Sequence, residues 1–342
     1  MTRAESGCRT LVLALILTGC CATALAEGLD AAALGVVFNA RDPASARVAA
    51  YYAFRRGIPQ PNLVGLELPD RARLTHAEFA GLRAEVIHEL PTTVQSLLLV
   101  WSRPYAVECM SVTTAFAAGF RADFCEPGCG RTRPSPLFDS DGWLPADTIG
   151  WLPAMMLPTA DETLARRLID RGVAADGTAP AGTAYLVRTQ DPARNVRALQ
   201  YADAASIGGG HVRIRIVQTP VRESYDDVIA YFTGVARVAE LSTLRFRPGA
   251  VADHLTSFGG DLEGHDQMSA LDWIAQGATG SYGTVTEPCN LIGKFPSPAI
   301  FLDHYLRGET LLEAYWKSVA MPGQGLFVGE PLARPYLRPR AE

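Results

Sequence analysis

Asp253, His254 and Ser257 fall within five consecutive residues, and Gly259 and Gly260 follow at once. These are the parts of a serine hydrolase: a hydroxyl nucleophile, an imidazole base, a carboxylate to orient it, and glycines that let backbone N–H groups approach an oxyanion. The spacing sets a condition. On an extended strand His254 and Ser257 point to opposite faces, so they meet only if the chain turns between them. His265, beyond the loop 259–264, is a second candidate for the base. Asp253, His254, Asp261, Glu263, His265 and Asp266 also offer oxygen and imidazole ligands suited to zinc, manganese or calcium. They match neither His-Glu-x-x-His nor an EF-hand loop, so the metal stays unspecified. A third use is local: Ser257 satisfying backbone at a strand end, Asp253 capping a turn, and His254 hydrogen-bonded at the rim.

The elements that must position these groups read as strands alternating with helices. Residues 34–38 (LGVVF) form a buried-strand pattern, Asp42-Pro43 opens a helix to Arg56, and Gly57 stops it. A second strand is expected over 62–68. Thr75 and Glu78 mark a capping box for a helix to Leu90, and a strongly apolar strand covers 94–101. Residues 102–158 are rich in Pro and Gly and read as an irregular insert with one short apolar piece at 113–120. Beyond it, helices are expected at 161–171, 192–205, 223–231, 268–276, 299–306 and 310–319. Strands are expected at 183–188, 211–217 and 278–283, with a closing segment at 326–332. The fold class is α/β: a mostly parallel sheet with helices on both faces, in one domain spanning 27–342.

In such sheets ligands bind beyond the carboxyl ends of the strands. That rule collects Thr233, Val235, Thr256, Gly259 and Gly260 at one rim, with Trp101 and Arg103 from the end of the third strand and Glu287 past another. Arg103 reads equally well as an anion contact or a plain strand-end ion pair. The other histidines carry less. His76 and His88 read as surface or cap positions, and His304 beside Asp303 as structural. His211 follows Gly208-Gly209-Gly210 with no phosphate-loop lysine behind it. No cofactor is expected.

Composition bounds the partners. Lys and Arg total 31 against 36 Asp and Glu, and no block of like charge marks a nucleic-acid face. The first residues carry Arg3 and Arg9 ahead of an apolar run over 11–17, too short to span a bilayer, so residues 1–26 read as a signal peptide. Two processing sites compete: a lipobox at 17–20 with Cys20 as the lipidated residue, and Ala24-Leu25-Ala26. Either places the mature chain in the periplasm or outer envelope, touching a membrane only through a lipid anchor. Cleavage after Ala26 leaves Cys109, Cys125, Cys129 and Cys289, enough for two disulfides. Cys125 and Cys129 could close a small loop, or Cys109 could reach Cys289 or either member of that pair.

The stretch Tyr231–Ala236, the segment Asp253–Gly260, Gly277-Ala278-Thr279-Gly280 and Val328-Gly329-Glu330-Pro331-Leu332 together resemble the last third of gingipain-type cysteine peptidases. The resemblance implies a caspase-like three-layer fold. In those enzymes one strand ends in a His-Gly turn and the next in the nucleophilic cysteine. Val235 stands at the histidine's place and Ser257 at the cysteine's, and Glu330 replaces the aspartate of the closing motif. The dyad is therefore missing. Over its whole mature length, including Tyr51-Tyr52-Ala53, Arg56-Gly57-Ile58-Pro59, Asp170-Arg171-Gly172-Val173 and Gly182–Val187, the chain resembles a family of exported bacterial proteins with no assigned activity. The expectation is an exported, non-catalytic relative of caspase-like peptidases that binds a peptide or glycan at the strand-end cleft; the alternative is a serine hydrolase using Ser257 with His254 or His265.

Overall fold

The apolar runs become strands buried on both faces, as a helix-covered parallel sheet requires. The computed structural model describes residues 1–2, 28–125, 129–207, 210–219, 224–264 and 266–337. Cys20 and His265 lie outside the described residues. The described fold opens with β1 (Leu34–Asn39), α1 (Pro43–Arg56), β2 (Leu63–Leu66), β3 (Arg73–Leu74), α2 (His76–Glu89) and β4 (Ser96–Val100). The caps behave as their residue types dictate. Asp42 accepts from the Ala44 N–H, Gly57 ends α1 at φ 66°, and Thr75 with Glu78 forms a reciprocal capping box on α2.

Residues 102–158 hold more regular structure than their composition suggests. They contain β5 (Ala106–Val107), β6 (Met110–Ser111), α3 (Val112–Ala118), α4 (Pro145–Ile149) and β7 (Ala154–Met156). The apolar piece expected at 113–120 falls on α3, and β7 is an inner strand of the main sheet, parallel to β4, so the expectation that the rest of 102–158 is an irregular insert is corrected. Of the open cysteine pairings the structure has Cys109–Cys125 and Cys129–Cys289; the Cys125–Cys129 loop is not closed.

The remainder runs α5 (Glu162–Ala175), β8 (Gly182–Arg188), α6 (Tyr201–Ala205), β9 (Val212–Gln218), β10 (Tyr225–Thr233), β11 (Leu244–His254), α7 (Ala270–Gln276), β12 (Gly280–Thr284), α8 (Pro298–Leu306), α9 (Leu311–Ser318) and β13 (Gly325–Gly329). The helix expected over 223–231 is instead β10. Its β-branched and aromatic residues Tyr225, Val228, Ile229, Tyr231 and Phe232 suit a strand buried between β8 and β11, and sheet pairing decides the outcome.

The ten-stranded sheet has the order β2-β1-β4-β7-β13-β12-β11-β10-β8-β9, and β3, β5 and β6 form a small separate sheet. β13 pairs antiparallel with β12 and meets β7 at a single Val328–Met156 bridge. The order contains one pattern twice. β1 lies between β2 and β4, and β8 lies between β9 and β10. In each half the chain leaves its first strand on one side and returns on the other, which opens a crevice at the strand ends. Both crevices face the same edge: past β4, Tyr105 donates to Asp261 past β11 (2.7 Å), and Arg103 pairs with Glu263 (2.7 Å).

At the opposite edge Glu330, just after β13, is fully buried against α1, ion-paired with Arg56 and accepting from the Tyr52 hydroxyl (2.7 Å). A Cβ at Gly172 of α5 would lie 2.7 Å from Glu330 Cγ, so this helix requires glycine there. Tyr52, Arg56, Gly172 and Glu330, which recur among the segments that carried the sequence resemblance, thus form one structural lock.

Candidate functional site

Asp253 and His254 are neighbours on β11 and project to opposite faces of the sheet. Asp253 is buried against Arg197, which pairs with its Oδ1 and also donates to the carbonyls of Thr233 (2.6 Å) and Asp253 itself (3.2 Å). Burial pushes the Asp253 carboxyl up to about 6, and the Arg197 guanidinium beside it pulls in the opposite direction, toward the ionised form. Arg197 sits in the turn 195–200 after β8, over the Phe232 ring. The pair is a buried structural clamp between β11 and that turn, and it does not orient an imidazole.

His254 faces α7, where both ring nitrogens are occupied. The Trp273 indole N–H donates to Nδ1 (2.9 Å), which leaves Nε2 as the protonated nitrogen, donating to the Met268 carbonyl (2.9 Å). Burial lowers the ring to a pKa of about 3; the Met268 bond works against this, and Arg197, Arg194 and Arg237 add to it. A base needs a free lone pair within reach of the nucleophile, and His254 has neither lone pair nor access. The expectation that Asp253 and His254 serve Ser257 is corrected by this geometry.

Ser257 follows the end of β11 and is partly exposed. Among the described residues no side chain makes a hydrogen bond to its hydroxyl. The glycines behind it are used for packing. The Gly260 N–H is spent on the Thr284 carbonyl (2.9 Å), and the Gly259 carbonyl accepts from Ala270 (2.7 Å). A Cβ at Gly260 would lie 2.4 Å from the Gly283 carbonyl oxygen, so glycine is demanded by close approach to β12. The Phe258 N–H goes to Gln267 Oε1 (2.9 Å), which also accepts from Thr256 (2.6 Å), while Thr256 Oγ1 accepts from Arg194 (3.1 Å). The expected oxyanion role of Gly260 is therefore replaced by a sheet bond.

The metal set is not assembled either. No group of three His, Cys, Asp or Glu side chains among the described residues could hold an ion. Asp261 binds Tyr105 and the Glu263 N–H, Glu263 pairs with Arg103, and the buried Asp253 and His254 lie on separate faces.

The single rim expected from sequence divides into three cavities. The largest, about 620 Å³, opens in the first half and is lined at the strand ends by Asn39, Leu68, Trp101, Ser102, Arg103 and Thr159. Trp101 contributes floor only, since its ring is buried and its indole N–H donates to Pro104 (2.8 Å). Arg103 is exposed on the rim, paired with Asp70 (3.4 Å) and Glu263. The second cavity, about 340 Å³, opens beyond β8 and β10, with Thr233, Val235, Asp191, Arg237 and Glu240 on its wall. The third, about 170 Å³, holds Thr256 and Ser257 with Arg194 and Phe295. Gly259 and Gly260 are packed against Gly283, and Glu287 is turned back on the Cys289 N–H (2.8 Å). Sequence reasoning passed over Asn39, Thr159 and Arg197. Asn39 stands at the end of β1, where the strand-end rule applied to every expected strand would have found it, whereas Thr159 follows β7, a strand not expected from sequence.

No family model matches the chain, and no curated protein matches its sequence. Among solved structures it is similar to the complex of the Porphyromonas gingivalis RgpB pro- and mature domains, with a TM-score of 0.53 and 10% sequence identity over 89% of this chain and 80% of that chain. The fold is thus the caspase-like, mostly parallel α/β sheet that the gingipain-like motifs implied.

Proposed function

We propose that the protein is an exported, non-catalytic gingipain-like domain that binds a peptide or glycan at the strand-end edge. The observation that carries this reading is the state of His254, whose two nitrogens are committed to Trp273 and Met268 on the face away from Asp253. With Val235 at the position of the peptidase histidine, the described residues at the edge offer no imidazole base. Two disulfides suit an oxidising compartment and, with the apolar run at 11–17, support export; Cys20 would carry lipid if the 17–20 site is used. Mass spectrometry of the mature N-terminus separates the two processing sites.

The hydrolase reading keeps one observation in its favour: Ser257 lines a cavity, and among the described residues its hydroxyl has no partner. The deciding experiment treats the folded mature protein with a fluorophosphonate probe and with fluorogenic peptide and ester panels. We expect no labelling and no turnover. Labelling that disappears in Ser257→Ala would establish serine chemistry and overturn the non-catalytic reading.

A further inference from the structure

The depth of the 620 Å³ cavity holds polar groups with incomplete hydrogen bonding. Asn39 closes β1 and is only 9% exposed. Its Oδ1 accepts from the N–H groups of Arg41 (3.1 Å) and Leu68 (3.2 Å), which fixes the amide orientation and leaves the NH₂ end without a partner among the described residues. Ser102 Oγ accepts from the N–H groups of Thr159 (2.9 Å) and Ala160 (2.8 Å), so its own proton is the open end. The hydroxyl of Thr159, a residue 3% exposed, has no partner among the described residues either. Polar groups that line an open cavity are satisfied by water in the free protein, and three open ends in one cavity favour an occupant that is itself polar and can replace that water.

The character of that occupant follows from where the charge sits. Arg41 pairs with Glu67, and Arg103 with Asp70 and Glu263, all on the exposed rim. The N-terminus of α1, which would attract an anion, already has Asp42 as its cap, and a phosphate or carboxylate there would meet that charge. Apart from the Asp42 carboxylate the groups between the rim charges are neutral, and Pro43, Leu68, Leu262 and Leu271 supply an apolar wall. The volume lies within the range of small-ligand sites, about 300–1,000 Å³.

We infer that this cavity binds a neutral, polyhydroxylated ligand, a sugar unit of a glycan. Each sugar hydroxyl both donates and accepts, which matches an amide donor beside two hydroxyls, and the C–H face of a sugar ring packs on the apolar wall. The inference rests on the strand-end binding reading and narrows it to the crevice around β1 and to one chemical class.

The test is calorimetry of the mature protein with neutral oligosaccharides built on glucose, galactose, mannose and N-acetylglucosamine, alongside a uronic-acid oligomer and a panel of short peptides. One neutral oligosaccharide should bind saturably, and Asn39→Asp and Thr159→Val should each weaken it about tenfold or more. Asn39→Asp keeps an oxygen for the Arg41 and Leu68 N–H groups, replaces the donors with an acceptor and adds a negative charge, so Thr159→Val, which adds none, is the variant that isolates the loss of a hydroxyl. An unfolding curve shows that each variant is intact. Saccharide binding unchanged in both intact variants would overturn the inference. Peptide binding that is sensitive to the same variants would overturn the sugar assignment while leaving the broader binding reading standing; no binding from any panel counts against both.

Discussion

The two halves of the sheet begin from the same strand pattern and spend their strand-end polar residues in opposite ways. Around β8, β10 and β11 the polar groups are bound mostly to one another: Arg197 to Asp253, His254 to Trp273 and Met268, Thr256 to Gln267 and Arg194, with Arg197 Nε and Asp253 Oδ2 left buried without a hydrogen-bond partner among the described residues. Around β1 and β4, Asn39, Ser102 and Thr159 are held by one end and left open at the other. The half that carries the residue types of catalysis commits Asp253 and His254 to internal bonds and keeps cavities of about 340 and 170 Å³, while the half without them has the cavity of about 620 Å³. Chemistry belongs to groups with unspent hydrogen-bonding capacity, and residue type alone does not reveal that.

The sharpest way to break this comparison is to unpair the clamp. Asp253→Ala leaves the Arg197 guanidinium buried without its counter-charge, and the expected loss is about 3–5 kcal/mol, read from denaturant unfolding. Replacing both partners, as Arg197→Met with Asp253→Leu, should recover most of that loss, because no isolated charge remains. If Asp253→Ala costs less than about 1 kcal/mol, the pair is not a structural clamp and a functional role for Asp253 reopens.

His254 comes next. His254→Gln disturbs the bonds to Trp273 and Met268 and should cost about 1–3 kcal/mol at neutral pH. The sign with pH follows from its lowered pKa. An unfolded histidine titrates near 6.5. The folded ring titrates at about 3, so its contribution is complete above about pH 6.5 and is lost as pH falls toward 3. The stability gap between wild type and His254→Gln should therefore narrow through that window, by up to about 1.4 kcal/mol per pH unit. Asp253, raised to about 6 by burial, acts with the opposite sign, since its folded value lies above the usual 3.8 and acidification from about 6 toward that value relieves a cost. A gap that stays constant with pH would mean the ring is reachable by protons, and so available as a base.

Much of the frame was legible before any coordinates. The α/β alternation, the caps at Asp42 and Thr75, and the caspase-like sheet follow from periodicity, capping residues and the gingipain-like motifs. The odd spacing of His254 and Ser257 already warned that they would not meet on a straight strand. What stayed hidden is set by partners distant in the chain. His254 is silenced by Met268 and Trp273, 14 and 19 residues on, which only the loop after β11 and α7 bring to it. Arg197 at full burial runs against the habit of its residue type and is visible only with Asp253 beside it. β7 has three residues in a Pro-rich stretch, too short for a periodicity to register, yet it completes the first half of the sheet.

The smallest expected effect sits on the residue that first drew notice. Ser257→Ala removes a partly exposed hydroxyl that bonds to no side chain among the described residues, so its stability change should stay within about 0.5 kcal/mol. A nucleophile held for catalysis is supported by a base and an oriented backbone, and replacing it commonly relaxes strain or breaks a network. Behind Ser257 the Gly260 N–H already serves Thr284 and the Phe258 N–H serves Gln267, so these two donors are not held ready for a reacting oxygen. A clear stability change in either direction would show Ser257 coupled to groups the present geometry leaves separate, and would move the weight of function back to the second half of the sheet.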